Sequence, residues 1–280
     1  MDTLIGPDTI TVMNKEDKKV ILISDIHTRE FEFDIPKDAC LKLANTGKKV
    51  DYFIEMNYDD INKGGTSKKP LYTYSRCINS YKQYFNPFLV DYRHKLPQRP
   101  ILTDLITLFS LPANAEVSTA DLDKTLTKIQ KDVSSLTSFS HVKLLKQYFD
   151  IVNKANGASV KPEKSLLKYY LAQFKQLEAK TGGIKNLTKK LVEETNKLKS
   201  DIGTSSSATV TLPVQFQLAY TKLFSYLLQF EELLFDVYVL SGLLSSNNDT
   251  IIIQAGYKHI KTYEAMLQKM GYTISKTIIL

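Results

Sequence analysis

Two short runs of apolar, largely β-branched or aromatic residues constrain this chain most: "KVILIS" at 19–24 and "VDYFIEM" at 50–56. A strand with one wet face alternates apolar and polar residues. An uninterrupted apolar run instead predicts a strand covered on both faces, as in a parallel sheet between helices. "FLVDYR" at 88–93 predicts a third strand. Between the first two, residues 36–46 read as a short helix, opened by Pro36 in its first turn and stopped at Gly47. Strand, helix, strand at this spacing predicts a parallel βαβ unit with a right-handed crossover.

The middle of the chain has helical periodicity. Leu167, Tyr170, Leu171, Phe174 and Leu177 share one face, as do Ile184, Leu187, Leu191 and Leu198. Gly182-Gly183 between the stripes predicts an αα-hairpin. "DIGTSSSATVTLP" (201–213) is small and polar and reads as a linker or mobile loop. A long, mostly apolar helix follows at 214–244, then a strand at 249–256, a helix at 257–271 closed by Gly271, and a terminal strand at 272–280. The fold class is α/β: a mainly parallel central sheet flanked by helices. A helical insertion at 101–212 separates the halves of the core, 1–100 and 213–280.

With 280 residues, 43% hydrophobic and 24% charged, the chain has an ordinary globular composition. No run approaches the roughly 20 apolar residues needed to span a bilayer. The N-terminus lacks the pattern of a secretory signal, so the expected location is cytoplasmic, with Cys40 and Cys77 reduced. The net charge is +7, but the lysines of "KNLTKKLVEETNKLKSD" alternate with Glu and Asn. They read as a solvated face, which argues against nucleic acid as a partner.

Chemistry concentrates in the histidines. His27, His94 and His259 each follow or adjoin the end of a predicted strand, and His141 lies in the helical middle. Ligands of open parallel sheets gather outside the carboxyl ends of the strands. His27, Glu55 and His259 are therefore the candidate catalytic set. Imidazole serves as base or metal ligand near neutrality, and a carboxylate completes a His₂Glu metal set or acts as base itself. Arg93 or Arg76 would neutralise developing negative charge. Asp25 and His94 would orient the catalytic groups.

"ISDIHT", "VDYFIE" and the distant "IIQAGYKHIKTYEAMLQKMGY" resemble the erythromycin esterase/ChaN-like/TraB superfamily, which includes the TIKI proteases. The resemblance covers about 20–95 and 230–280. Its members carry two Gly-x-x-His motifs and an acidic residue closing the strand after the first. The second motif stands here as Gly256-Tyr257-Lys258-His259, and the acid corresponds to Glu55. The first motif opens with Ser24 in place of Gly. "FDVYVLSGLL", with Asp236, and "VDYRHKLP" resemble more specifically members from large DNA viruses, which implies host cytoplasm or virion as the location. The resemblance implies a hydrolase of peptidase or esterase type, working either through a divalent metal (zinc, manganese or cobalt) on His27, Glu55 and His259, or through histidine-activated water.

Two rival readings stand beside this one. "VILISDIHT" resembles the opening Asp-x-His of calcineurin-like metallophosphoesterases, with Asp25 and His27 as ligands. The chain lacks the Asn-His pair and the His-x-His which that two-metal site needs. The other reading is a viral structural or interaction protein that has kept the fold and lost the reaction. "NKGGTSKKP" (62–70) is not a phosphate-binding loop, and no Gly-x-Ser-x-Gly elbow exists. Tyr72, Tyr74, Tyr81, Tyr84 and Phe85 read as packing over the sheet. Substrate, cleaved bond and oligomeric state stay open at this point.

Overall fold

A computed structural model describes residues 9–25, 49–56, 83–110, 116–133, 136 and 139–279. The helix expected at 36–46, His27, Arg76, both cysteines and the loop at 62–70 lie outside the described residues. Eight strands are described: β1 (Thr9–Lys15), β2 (Lys18–Asp25), β3 (Val50–Ile54), β4 (Phe85–Leu89), β5 (Glu116–Ser118), β6 (Thr209–Thr211), β7 (Thr250–Gly256) and β8 (Thr273–Ile279). The described helices are α1 (Arg99–Phe109), α2 (Thr119–Val133), α3 (His141–Asn156), α4 (Lys164–Thr181), α5 (Gly183–Thr204), α6 (Val214–Ser245) and α7 (Tyr257–Lys269), with a 3-10 turn at Arg93–Lys95. No described helix is long and apolar enough to cross a membrane. The chain divides into two units, 1–92 with 149–166 and 235–280, and 93–148 with 167–234.

The first unit is α/β. Its six-stranded sheet has the order β4-β3-β7-β2-β1-β8. The strands β4, β3, β7 and β2 run parallel, while β1 is antiparallel to both β2 and β8. The strands β2 and β3 are parallel, as the βαβ pattern predicts, but β7 lies between them. The central strands lack alternation for the expected reason: every residue of β3 and Ile251–Ala255 of β7 are buried. At one edge β8 is almost wholly exposed, and Lys276 is the charged residue on it.

Two departures from the sequence reading have local causes. The strand expected at 88–93 runs instead over Phe85–Leu89 and contains Pro87. Both backbone groups of Leu89 are bonded by the Asn156 side-chain amide at 2.9 and 2.8 Å, so they point away from β3. Pro87, two residues earlier, shares that outward register, and its missing N–H costs the ladder nothing. The strand β1 was not foreseen. It forms a hairpin with β2 through Glu16-Asp17, with Lys15 opposite Lys18 and Glu16 at φ 53°.

Register shows which residues share a sheet face, because in-register neighbours point the same way. Thr11 pairs with Leu22, Leu22 with Ile253, and Ile253 with Phe53. At one end of this row Thr11 Oγ1 donates to Glu264 of α7 at 2.6 Å. At the other end Gly242 of α6 lies so close to Phe53 that an added Cβ would stand 2.5 Å from the ring. The helix α7 and residues 235–245 of α6 therefore cover the same face.

The second unit is helical, with Leu102, Leu105, Leu126, Ile129, Leu191, Phe216, Leu223 and Leu227 fully enclosed. Arg99 pairs at 2.7 Å with Glu231, whose side chain is 1% exposed. The stretch read as a linker at 201–213 is partly regular: α5 runs to Thr204, and β6 pairs with β5 as a small antiparallel ribbon. Thr209-Val210-Thr211 is the β-branched run that permits it.

Candidate functional site

The carboxyl ends of β2, β7 and β3 lie at one edge of the sheet, and the site is built there. In the ladders Ser24 pairs with Ala255 and Asp25 with Gly256. The Glu55 N–H donates to the Gln254 carbonyl at 3.0 Å, which carries the β3–β7 ladder one residue past Ile54. Two-residue alternation puts Glu55 on the face of Phe53, the face that α6 and α7 cover.

Gly256 ends β7 and is the N-cap of α7, so His259 stands three residues into the helix, in its first turn. Glu55 Oε2 accepts the Gly256 N–H at 2.8 Å, and Glu55 Oε1 lies 3.6 Å from His259 Nε2. The other ring nitrogen, Nδ1, is 2.7 Å from Asp236 Oδ1 of α6. The imidazole is thus held between two carboxylates, and the three side chains are 7–8% exposed. Phe235 packs at 4.6 Å between ring centroids and Tyr263 at 6.3 Å, which limits where the imidazole can move.

The two nitrogens have different partners and different work. With Asp236 ionised, the proton of that pair sits on Nδ1 and Asp236 accepts it. Nε2 then faces Glu55 across a gap too long for a direct hydrogen bond. A group bound between them could exchange a proton with either.

Of the residues singled out from sequence, the structure brings Glu55, His259 and Gly256 together. Asp25 reaches the same edge through its backbone pairing with Gly256. His27 and Arg76 lie outside the described residues. Arg93 and His94 belong to the 3-10 turn in the second unit. Ser24 occupies ordinary strand backbone beside Ala255 and is fully buried. Its hydroxyl has no hydrogen-bond partner among the described residues. Gly256 has φ −56°, so no left-handed backbone demands a glycine there either.

Sequence reasoning gave Asp236 no role in the site, although it lies in the quoted segment "FDVYVLSGLL". The signal was an acid alone in a long apolar stretch: Asp236 is 5% exposed, and a buried carboxylate needs a partner.

For a metal, the described site offers His259 Nε2 and Glu55 Oε1. The Asp236–His259 bond is the support usually found behind a metal-ligating imidazole. Among the described residues no group of three His, Cys, Asp or Glu is arranged to hold a metal ion. The described residues therefore do not make a metal centre by themselves.

Comparison of the chain with protein-family models, curated proteins and solved structures finds no match.

Proposed function

We propose that this chain is a hydrolase in which His259 is the general base, oriented by Asp236 and assisted by Glu55. The observation that carries this reading is the imidazole bonded at 2.7 Å to one buried carboxylate and facing a second at 3.6 Å. Its position supports the reading as well, since the carboxyl edge of parallel strands is where such sheets place their chemistry. Asp236 keeps the imidazole in one tautomer and stabilises the cation formed when Nε2 takes a proton from water. Glu55 is then placed to share that proton and return it to the leaving group. The resemblance to the erythromycin esterase/TraB/TIKI group points the same way, toward a peptidase or esterase.

The test is Glu55→Gln assayed on ester and peptide substrates, with the melting temperature measured alongside. A glutamine oxygen can still accept the Gly256 N–H, so turnover should collapse while the melting temperature stays within a few degrees. Turnover at the wild-type rate in that variant rules the role out. Zinc or manganese that copurifies, and is lost in both His27→Ala and His259→Ala, would add a metal to the mechanism.

One observation favours a second reading, a non-catalytic protein that keeps the fold. Glu55 already caps α7 through Gly256, so the cluster also serves as a clamp joining β3, α6 and α7. On that reading His259→Ala lowers the melting temperature, and the wild type hydrolyses nothing.

A further inference from the structure

The net charge of +7 is not spread evenly along the chain. Residues 167–200 contain eight lysines, no arginine and no aspartate against three glutamates, a net of +5. The other 246 residues share the remaining +2. This segment is the body of α4, the Gly182-Gly183 turn and most of α5, all within the helical unit.

A lysine-rich helix is usually a solvated face in which acids neutralise the charge. That account fits only part of this segment. Lys189 pairs with Glu193 at 3.9 Å, Lys197 with Glu194 at 2.8 Å and Lys199 with Asp123 at 3.4 Å. Lys168, Lys175, Lys180, Lys185 and Lys190 are exposed and form no ion pair among the described residues. Lys168 and Lys175, seven residues apart, lie on one face of α4, about 10 Å apart along the axis. Lys180 and Lys185 flank the turn. The fold thus sorts the lysines into neutralised and uncompensated ones, which the alternation with Glu and Asn in the sequence conceals.

We infer that the α4–α5 hairpin is a docking surface for the phosphate backbone of a nucleic acid, bound without regard to sequence. Lysine is a compact, flexible point charge suited to backbone phosphates, and the forked donors of arginine that read base edges are absent from the segment. A lipid surface fits less well. None of the exposed large apolar residues of the described chain falls within 167–200, and such residues anchor a helix in a bilayer interface. The inference is independent of the chemistry proposed for His259.

The test is binding of the full chain to a fluorescently labelled 30-base-pair DNA duplex of arbitrary sequence, measured by anisotropy across a salt series. Five backbone contacts predict a slope of log K against log salt of about −4.5, a loss of about 500-fold between 50 and 200 mM. Lys168→Gln, Lys175→Gln and Lys180→Gln together should reduce the slope by about 2.7. Lys276→Gln, an exposed lysine on β8, should leave it unchanged. A shuffled duplex should bind equally well. No duplex binding at 50 mM salt overturns the inference, as does a triple variant with the wild-type slope. So does an effect of Lys276→Gln equal to that of each hairpin lysine, or binding to phosphatidylserine vesicles without binding to DNA.

Discussion

His259 in the α/β unit is buried and His141 in the helical unit half-buried, both with aromatic neighbours, yet the two surroundings make them different chemical objects. His259 has a carboxylate at each nitrogen, at 2.7 and 3.6 Å. His141 Nε2 meets the neutral hydroxyl of Tyr226 at 2.8 Å, with Glu178 more distant at 3.8 Å. His141 is stacked on Phe174 at 5.0 Å and met edge-on by Phe139. Burial pushes the His141 pKa below its ordinary value and the Tyr226 phenol well above its own, so both stay neutral near pH 7. His141 is therefore a packing residue with a hydrogen bond, while His259 carries the proton transfer in the function proposed above. The partners of the ring nitrogens separate the two more sharply than the difference in burial does.

The largest effect that would break this contrast is on turnover. Asp236→Asn leaves the shape of the site intact but disfavours the productive tautomer, and should cut hydrolysis by about 10⁴-fold. His141→Phe should leave kcat/KM unchanged in the same assay. An equal loss in both variants would mean that the first histidine is no more special than the second.

A smaller effect concerns the scaffold of Asp236. Gly242 lies on the same helix, and a Cβ there would meet the Phe53 ring at 2.5 Å. Both residues are buried. Gly242→Ala should destabilise the protein by about 1–3 kcal/mol through overpacking, read from denaturant unfolding.

The third effect is pH dependence from the helical unit. The folded pKa of His141 lies below its ordinary 6.5, so the unfolded chain takes up a proton first as pH falls. The stability contributed by neutral His141 is full above about pH 6.5 and is lost below it, by at most about 1.4 kcal/mol per pH unit. His141→Phe should flatten that part of the stability profile; a profile unchanged from wild type would remove His141 as its source. The smallest effect is at the β1–β2 turn, where Glu16→Gly relieves a φ of 53° and should raise stability by about 0.5–1 kcal/mol. A fall in stability would show that the Glu16 side chain matters more than its backbone.

Much of the fold was legible where the pattern is local. Lys18–Asp25, Val50–Ile54 and Thr250–Gly256 carry their strand character in apolar runs. Gly182 and Gly183, at φ 82° and 79°, mark the turn between the two helices just where the stripes break. The Pro87 strand was displaced by three residues because an edge position tolerates a residue that a central strand would reject. The ribbon of β5 and β6 was missed because each strand is three residues long and its partner is about ninety residues away. For the site, a histidine after Gly256 and an acid at the end of β3 could be read directly. The role of Asp236 could not, because nothing in "FDVYVLSGLL" says which side chain its acid will meet.

By itself the sequence determined the α/β class, the boundaries of α6 and α7 and the presence of Glu55 and His259 at strand ends. Periodicity and capping act over a few residues, and they are written into the chain wherever it folds. The tertiary structure alone decided that β7 enters between β2 and β3, and with it that the first turn of α7 arrives beside Glu55 and Asp236. Strand order depends on which buried faces satisfy one another across more than two hundred residues, and no local pattern carries that information.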